Sequence, residues 1–320
     1  MKFTKLAVVS NFPYQMNNDK GDEKTSHASP IYQKFIECVI DTLNPDYFTT
    51  ICPSRWMTSG RGLDSFRERM MNDTRLKKIV HFGGSSEVFT NVEIKGGVSY
   101  FNWVKDYNGE CEFVNGNVTT KRFLNIHDII LQDNNAFGIL EKITSKCSSW
   151  MNKPWAIQTP FGIVSSFNQW SNSTNDTVCY SSGKTKRNVS TGHFTDKHNI
   201  IGKWKVCTSK AINPNKEGNF DKYNNIFIIE PNTICTQTYI VVNVFDSKTE
   251  AENFISYMNT KFFRFMLGLR VLTQDISKEK FAWTPDQLDY SAKWTDKELY
   301  MKYSLTRQEI AYIESKIKAI

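Results

Sequence analysis

Four short apolar runs, interleaved with helical patterns and turn signals, restrict the first third of this chain to an α/β sheet. Leu6-Ala7-Val8-Val9 is apolar and β-branched at its end, and reads as a buried strand. Residues 15–29 are polar and rich in Asn, Asp, Gly and Ser, so they read as a loop. Pro30 opens a helix expected to run to about residue 41, with Ile31, Phe35, Cys38 and Val39 on its apolar face. Residues 47–52 form a second strand, 63–72 an amphipathic helix, 76–82 a third strand and 98–104 a fourth. This alternation predicts a mostly parallel sheet up to about residue 115.

Past 115 the rhythm breaks, and Asn, Gly and Thr accumulate up to about 150. Short strand-like runs follow at 178–180, 204–207, 226–229 and 239–244, separated by polar loops. Ser247 and Glu250 form a capping box that opens a helix. Its Ala251, Phe254, Ile255, Met258, Phe262, Phe265, Met266 and Leu269 recur three or four apart, so one face packs inward. Thr295 with Glu298, and Thr306 with Glu309, open two short terminal helices. The expected division is 1–115 and 116–320.

The 320 residues are 40% hydrophobic and 23% charged, which is a globular composition with material for a sizeable core. No apolar run reaches the ~18 residues of a membrane span, and the N-terminus lacks a signal-peptide layout. No two of the seven cysteines lie within four residues of each other. That spacing argues against a disulfide framework or a zinc site and points to the reducing cytoplasm. His27, His81, His127, His193 and His198 form no metal spacing, so no metal is expected. A net charge of +7 permits a polyanionic partner without requiring one.

The chemistry-bearing element follows the first strand. Asn11-Phe12-Pro13-Tyr14 joins an amide, a proline-fixed turn and an aromatic ring at a strand terminus, where open α/β sheets bind ligands. Such a set suits a planar ring bearing an amine, although Asn-x-Pro alone is also a common turn. The tetrapeptide is one residue from the Asn-Pro-Pro-Tyr motif of DNA adenine-N6 methyltransferases. Further matching segments follow in order: Ala28-Ser29-Pro30-Ile31-Tyr32-Gln33-Lys34-Phe35, Pro53-Ser54-Arg55-Trp56, Gly60-Arg61-Gly62-Leu63-Asp64-Ser65-Phe66-Arg67 and Gly96-Gly97-Val98-Ser99-Tyr100-Phe101. Later come Glu230-Pro231-Asn232-Thr233-Ile234-Cys235-Thr236, Lys261-Phe262-Phe263-Arg264-Phe265 and Trp294-Thr295-Asp296-Lys297-Glu298-Leu299-Tyr300. Over nearly its whole length the chain resembles the C-terminal half of the Eco57I-like, type II restriction-modification adenine-N6 methyltransferases.

The resemblance implies a partial Rossmann-like methyltransferase sheet in 1–115, then an α+β DNA target-recognition domain in 116–320. It implies adenine flipped out of double-stranded DNA, stacked on Tyr14, with its N6 protons accepted by the Asn11 side chain and the Phe12 carbonyl. Phe12 departs from the family's first proline, so the turn loses one fixed φ. The co-substrate implied is S-adenosylmethionine. The Gly-rich loop and ribose-binding acid that hold it precede the Asn-Pro-Pro-Tyr strand in the family. Cofactor-binding residues are therefore expected on a second protein subunit, and residues 6–9, lacking their family neighbour, would form an unpaired apolar edge.

Gly83-Gly84-Ser85-Ser86 lacks phosphate-cradle spacing and reads as a turn. The resemblance places it beside the target pocket. Lys184, Lys186 and Arg187, then Lys203 and Lys205, form a basic stretch suited to DNA phosphates. Arg264 and Arg270 are expected on the polar side of the long helix, lining the same cleft. The competing reading is a non-catalytic DNA-binding specificity subunit, or a decoy in phage–host restriction conflict.

Overall fold

The computed structural model describes residues 4–16, 29–58, 62–90, 94–211, 225–271 and 276–318. Of the loop expected at 15–29, residues 17–28, with His27 and Ala28, lie outside the described residues, as does the Gly60-Arg61 pair, while Gln15, Met16 and Ser29 are strand residues. The chain divides into two compact units, Met1–Phe137 and Gly138–Ile320.

The first unit holds β1 (Ala7–Asn11), β2 (Gln15–Met16), β3 (Ser29–Pro30), α1 (Tyr32–Cys38), β4 (Tyr47–Pro53), α2 (Asp64–Asn72), β5 (Leu76–Phe82), β6 (Val98–Val104), β7 (Cys111–Asn115) and β8 (Val118–Arg122). Its main sheet has six strands in the order β1-β4-β6-β5-β7-β8. The α/β class holds, but the sheet is mixed rather than mostly parallel. β1 and β4 are parallel, as are β5 and β7; β6 runs antiparallel to both β4 and β5. The cause is the 83–97 connection, whose only regular element among the described residues is the 3₁₀ turn Ser85–Glu87. A parallel return needs a crossover of a dozen or more residues, usually a helix. Here Gly97, at φ +75°, instead turns β6 back beside β5.

β7 and β8 close an antiparallel hairpin through Gly116 at φ +55°. The first unit thus reaches Phe137, beyond the division at 115 expected from composition.

One face of this sheet is covered by helices. Phe48, Cys52, Ile79, Phe101, Trp103 and Phe113 point to it and pack with Ile36 and Ile40 of the first helical segment and Phe66 and Met70 of α2. Each large apolar side chain so buried is worth about 1.5–3 kcal/mol. On the opposite face Thr49, Ile51, Val80, Tyr100, Asn102 and Val114 are only half-buried.

The first helix begins at Tyr32, later than expected, because Pro30 is still extended and pairs with Gln15 across β2 and β3. It continues as a π turn at Val39–Leu43. Tyr32, Ile36, Val39 and Ile40 are its buried face, whereas Phe35 and Cys38 are exposed. β1 is not a buried strand. It sits at the sheet edge, paired among the described residues with β4 alone, and Val9 is 81% exposed.

The second unit carries β9 (Ile157–Gln158), β10 (Thr177–Ser181), β11 (Thr185–Val189), β12 (Trp204–Ser209), β13 (Phe227–Ile229), β14 (Thr233–Cys235) and β15 (Tyr239–Phe245). These form a three-stranded sheet, β11-β10-β14, and a four-stranded one, β13-β12-β15-β9. Cys179, Val189, Ile234, Cys207, Ile229 and Val241 share one core. The helix α3 (Phe137–Lys146) starts where the first unit ends; α4 (Lys248–Met258), α5 (Lys261–Gly268), α6 (Asp296–Lys302) and α7 (Arg307–Lys316) follow. All three capping boxes form, at Ser247, Thr295 and Thr306.

The long helix expected from 247 is instead two helices. Thr260 starts the second by accepting the Phe263 amide at 3.1 Å, and the Asp296 carboxylate takes the Lys261 and Phe262 amides at 3.1 and 2.8 Å. Three of the N-terminal donors that a helix leaves unpaired are satisfied this way.

Candidate functional site

Asn11 is the last residue of β1 and is exposed. Its side chain makes no hydrogen bond among the described residues, so its amide is free to meet a ligand. Phe12 turns inward and stacks on Phe35, with ring centroids 5.1 Å apart at 11°, and leans on Phe48 at 6.5 Å. Ring packing thus anchors the turn where the family's proline would fix it through φ. Pro13 is exposed. Tyr14 is half-buried, and its carbonyl accepts the Ile31 amide at 3.1 Å.

Two aromatic rings brace Tyr14 edge-on. Tyr32, at the start of α1, lies 6.5 Å away at 79°, and Phe89 lies 6.4 Å away at 67°. Burial, with a smaller contribution from Cys52 nearby, raises the Tyr14 phenol to about 12. The hydroxyl is buried and, among the described residues, makes no hydrogen bond. Burial also pushes the Cys52 thiol to about 12, although Ser99 and Trp56 beside the sulfur ease the shift. Cys52 is therefore an inert packing residue rather than a nucleophile.

Phe89 escapes sequence reasoning because Val88-Phe89 carries no periodic signal. Its loop is held by local bonds. The Phe89 amide donates to the Ser85 carbonyl at 2.8 Å, the Ile94 amide to Ser85 Oγ at 2.8 Å, and the Gly84 amide to the Glu87 carboxylate at 3.0 Å. Gly83-Gly84-Ser85-Ser86 is thus a turn, and the loop it begins carries a ring to Tyr14.

Behind the 53–57 turn, His81 Nδ1 and Ser54 Oγ lie 2.9 Å apart, both buried. Burial pushes the imidazole down to about 4. Between about pH 6.5 and 4 the unfolded chain binds the extra proton, so stability falls as pH drops through that window. The expected loss between pH 7 and pH 5 is about 2 kcal/mol. Urea midpoints at the two pH values measure it, and His81→Gln should flatten the dependence.

The basic residues of the second unit divide into two groups. Lys184, Lys186 and Arg187 are exposed on and beside β11, and each cation lies over an aromatic ring: Lys184 over Phe227 at 4.8 Å, Lys186 over Tyr180 at 4.9 Å and Arg187 over Trp170 at 5.0 Å. Lys186 also pairs with Glu230 at 3.4 Å, and half-buried Lys203 pairs with Asp246. Lys205, Arg264 and Arg270 do not line a cleft surface; all three are buried. The Lys205 ammonium donates to the carbonyls of Ile201, Lys203 and Glu230 at 3.0, 2.7 and 3.1 Å, and burial lowers it to about 8. Arg264 donates to the Lys318 carbonyl at 2.7 Å, and Arg270 packs over Trp283 at 4.7 Å. Their expected polar helix face does not exist, because the broken helix is packed on all sides there.

A cavity of about 410 Å³ lies between α6 and α7, lined by Tyr300, Met301, Leu305, Ile310, Asp296 and Glu314. Its carboxylates are already engaged: Asp296 caps α5, and Glu314 holds Lys261 and the Tyr300 hydroxyl. Lys297 also lines it, at an exposed position.

The tetrapeptide and its bracing rings fall within one stretch of sequence similarity. Residues 4–89 match the Eco57I restriction-modification methylase family. That Eco57I-type segment includes Asn11, Phe12, Pro13, Tyr14, Tyr32 and Phe89. Over 111 residues the chain is 35% identical to a Mycoplasma pneumoniae protein described as an uncharacterized adenine-specific methylase, a match that spans 34% of this chain and 25% of that protein. Among solved structures, the type IIG restriction endonuclease BpuSI aligns over 85% of this chain and 47% of its own, at 11% identity and a TM-score of 0.32. The DrdV–DNA complex aligns over 88% and 43%, at 11% identity and 0.38. The type I restriction-modification methyltransferase subunit from Streptococcus thermophilus aligns over 43% and 31%, at 12% identity and 0.25.

Proposed function

We propose that this chain is the target-binding part of a site-specific DNA adenine-N6 methyltransferase of the restriction-modification type. What carries the reading is the exposed Asn11 amide at the tip of β1, beside a Tyr14 ring held edge-on by Tyr32 and Phe89, inside the Eco57I-type segment. An adenine inside a duplex is out of reach, so it is flipped out to meet Asn11 and Tyr14 at that tip. Tyr14 stacks on it, a contact worth about 1–3 kcal/mol. The Asn11 side-chain oxygen and the Phe12 carbonyl accept the two N6 protons. The nitrogen lone pair is then aimed outward for methyl transfer, and positioning supplies much of the rate.

The residues described here do not fit the methyl donor, S-adenosylmethionine. No strand among them runs through a glycine-rich loop into an α-helix: Gly83-Gly84 enter a 3₁₀ turn and Gly96-Gly97 enter β6. Donor binding is assigned to another polypeptide. The reaction belongs in the cytoplasm, where the DNA is; among the described residues no helix is long and apolar enough to cross a membrane.

The second unit is proposed to hold DNA through Lys184, Lys186 and Arg187, whose exposed cations offer phosphate contacts between aromatic rings. Changing all three to Ala should weaken duplex binding and flatten its logarithmic salt dependence by about 0.9 per lost phosphate contact. Titration of a labelled duplex at several salt concentrations tests this. Lys205→Ala should leave the slope unchanged while lowering stability, because Lys205 is buried. The catalytic reading itself is tested by assaying N6-methyladenine in duplex DNA with the donor-binding polypeptide supplied. Duplex binding without any methylation under those conditions would instead favour a DNA-binding specificity subunit.

A further inference from the structure

We propose that the loop between β9 and β10 reads base sequence, with the Asn168 and Gln169 side-chain amides meeting adenine edges in the major groove of the target duplex. This rests on the reading that the second unit holds DNA, and deepens it by naming residues that choose the site and the base they favour.

The two amides are pinned from both sides. Phe167 and Trp170 are half-buried, pack against the core of the second unit and meet edge to face, with ring centroids 4.9 Å apart at 88°. Before them, the Phe167 amide closes a turn by donating to the Val164 carbonyl at 3.2 Å. After them, the Ser171 amide donates to the Asn188 carbonyl of β11 at 2.8 Å, and the Asn188 side chain donates to the Ser173 carbonyl at 2.8 Å. Asn168 and Gln169 are the two residues between the anchored rings. Both are exposed, and among the described residues neither side chain makes a hydrogen bond. Their backbone is held in place, so less ordering is left for the moment of binding.

The chemistry of the loop selects the ligand. Residues 159–175 include no charged side chain, so the loop itself has no strong attraction for phosphate. A carboxamide offers an acceptor beside a donor in one plane, which matches N6 and N7 of adenine in the major groove. The phosphate grip lies next door. Arg187, on the strand to which the loop is tied, stacks over Trp170 at 5.0 Å. Phosphate contacts fix register and orientation without reading sequence. A phosphate taken by Arg187 brings the base pairs beside it to Asn168 and Gln169.

The test selects duplexes with the full chain from a pool carrying a randomised core, then titrates the enriched duplex and its single-position variants. Wild type should enrich a motif with adenine positions. Asn168→Ala and Gln169→Ala should each lose preference at one of them, by about 5- to 150-fold, the discrimination of one bidentate pair. Affinity for unselected duplex, its salt slope and the melting temperature should not change, because the phosphate contacts lie elsewhere. Asn168→Asp and Gln169→Glu should move the preferred base from adenine to cytosine, whose N4 donates to a carboxylate. An Asn168→Ala/Gln169→Ala double variant that enriches the wild-type motif with undiminished preference overturns the proposal, as does an equal loss of affinity for all sequences. Salt-dependent binding by wild type with no sequence preference overturns it too, while leaving the DNA-holding reading in place. Absence of any duplex binding by wild type removes both.

Discussion

Asn11→Ala should lower methyl transfer by the completed enzyme about 10²–10³-fold, the cost of removing one preorganised dipole from a centre where charge develops. Charge develops on N6 as it forms the new bond, and under the proposed function the Asn11 oxygen accepts one of its protons. Duplex affinity should change little, because phosphate contacts elsewhere dominate it. Asn11→Asp should retain more activity than Asn11→Ala, since a carboxylate still accepts that proton. Single-turnover transfer and duplex titration on the same preparations separate the two effects. The exposed position of Asn11 makes a folding defect an implausible source of any loss, and an unchanged melting temperature would confirm this.

Gly97→Ala should destabilise the first unit by about 4 kcal/mol or more, in the range reserved for backbone clashes and special dihedrals. Gly97 sits at φ +75°, and a Cβ there would stand 2.1 Å from the Phe82 carbonyl oxygen and 3.1 Å from the His81 ring. The carbonyl is backbone inside the β5–β6 pair, so it cannot yield without loosening that pair. The Gly97 carbonyl also accepts the Ser54 amide at 3.0 Å, which ties the turn after β4 to the same place. Thermal melting should show the first transition lowered by about 10 °C or more. Gly62→Ala, at φ +77° but with open space around it, should cost much less and serves as the control.

The strands and most of the helices of the first unit were legible because each carries a local signal. Residues 76–82 and 98–104 are β-branched and aromatic runs, and both are strands with the expected bounds. Strand direction was not legible. The antiparallel return of β6 depends on a connection without a long helix and on one glycine dihedral, neither of which hydrophobic period reports. The β7–β8 hairpin was legible in principle, since Asn115-Gly116 is a strong hairpin signal.

The site was legible in part. Asn11 and Tyr14 stand out as residue types at a strand end, and the Phe12 departure was visible. Its ring packing on Phe35 and Phe48 was not, because those contacts are set by tertiary structure. Charge alone misled for Lys205, Arg264 and Arg270. A lysine beside a tryptophan on an alternating strand can face either side of the sheet, and one residue of register decides it. Lys205 falls on the buried side, where backbone carbonyls solvate it instead of water. The two arginines were assigned by periodicity along a helix that Thr260 and Asp296 divide.

Methyl transfer by wild type, Tyr14→Phe and Tyr14→Ala, each with the donor-binding polypeptide supplied, tests the central claim most directly. Tyr14→Phe should keep wild-type activity, because the proposed stacking needs only the ring and the buried hydroxyl makes no hydrogen bond among the described residues. Tyr14→Ala should lose about 5- to 150-fold, the kinetic equivalent of one base stack. Equal activity in Tyr14→Ala and wild type would contradict that claim.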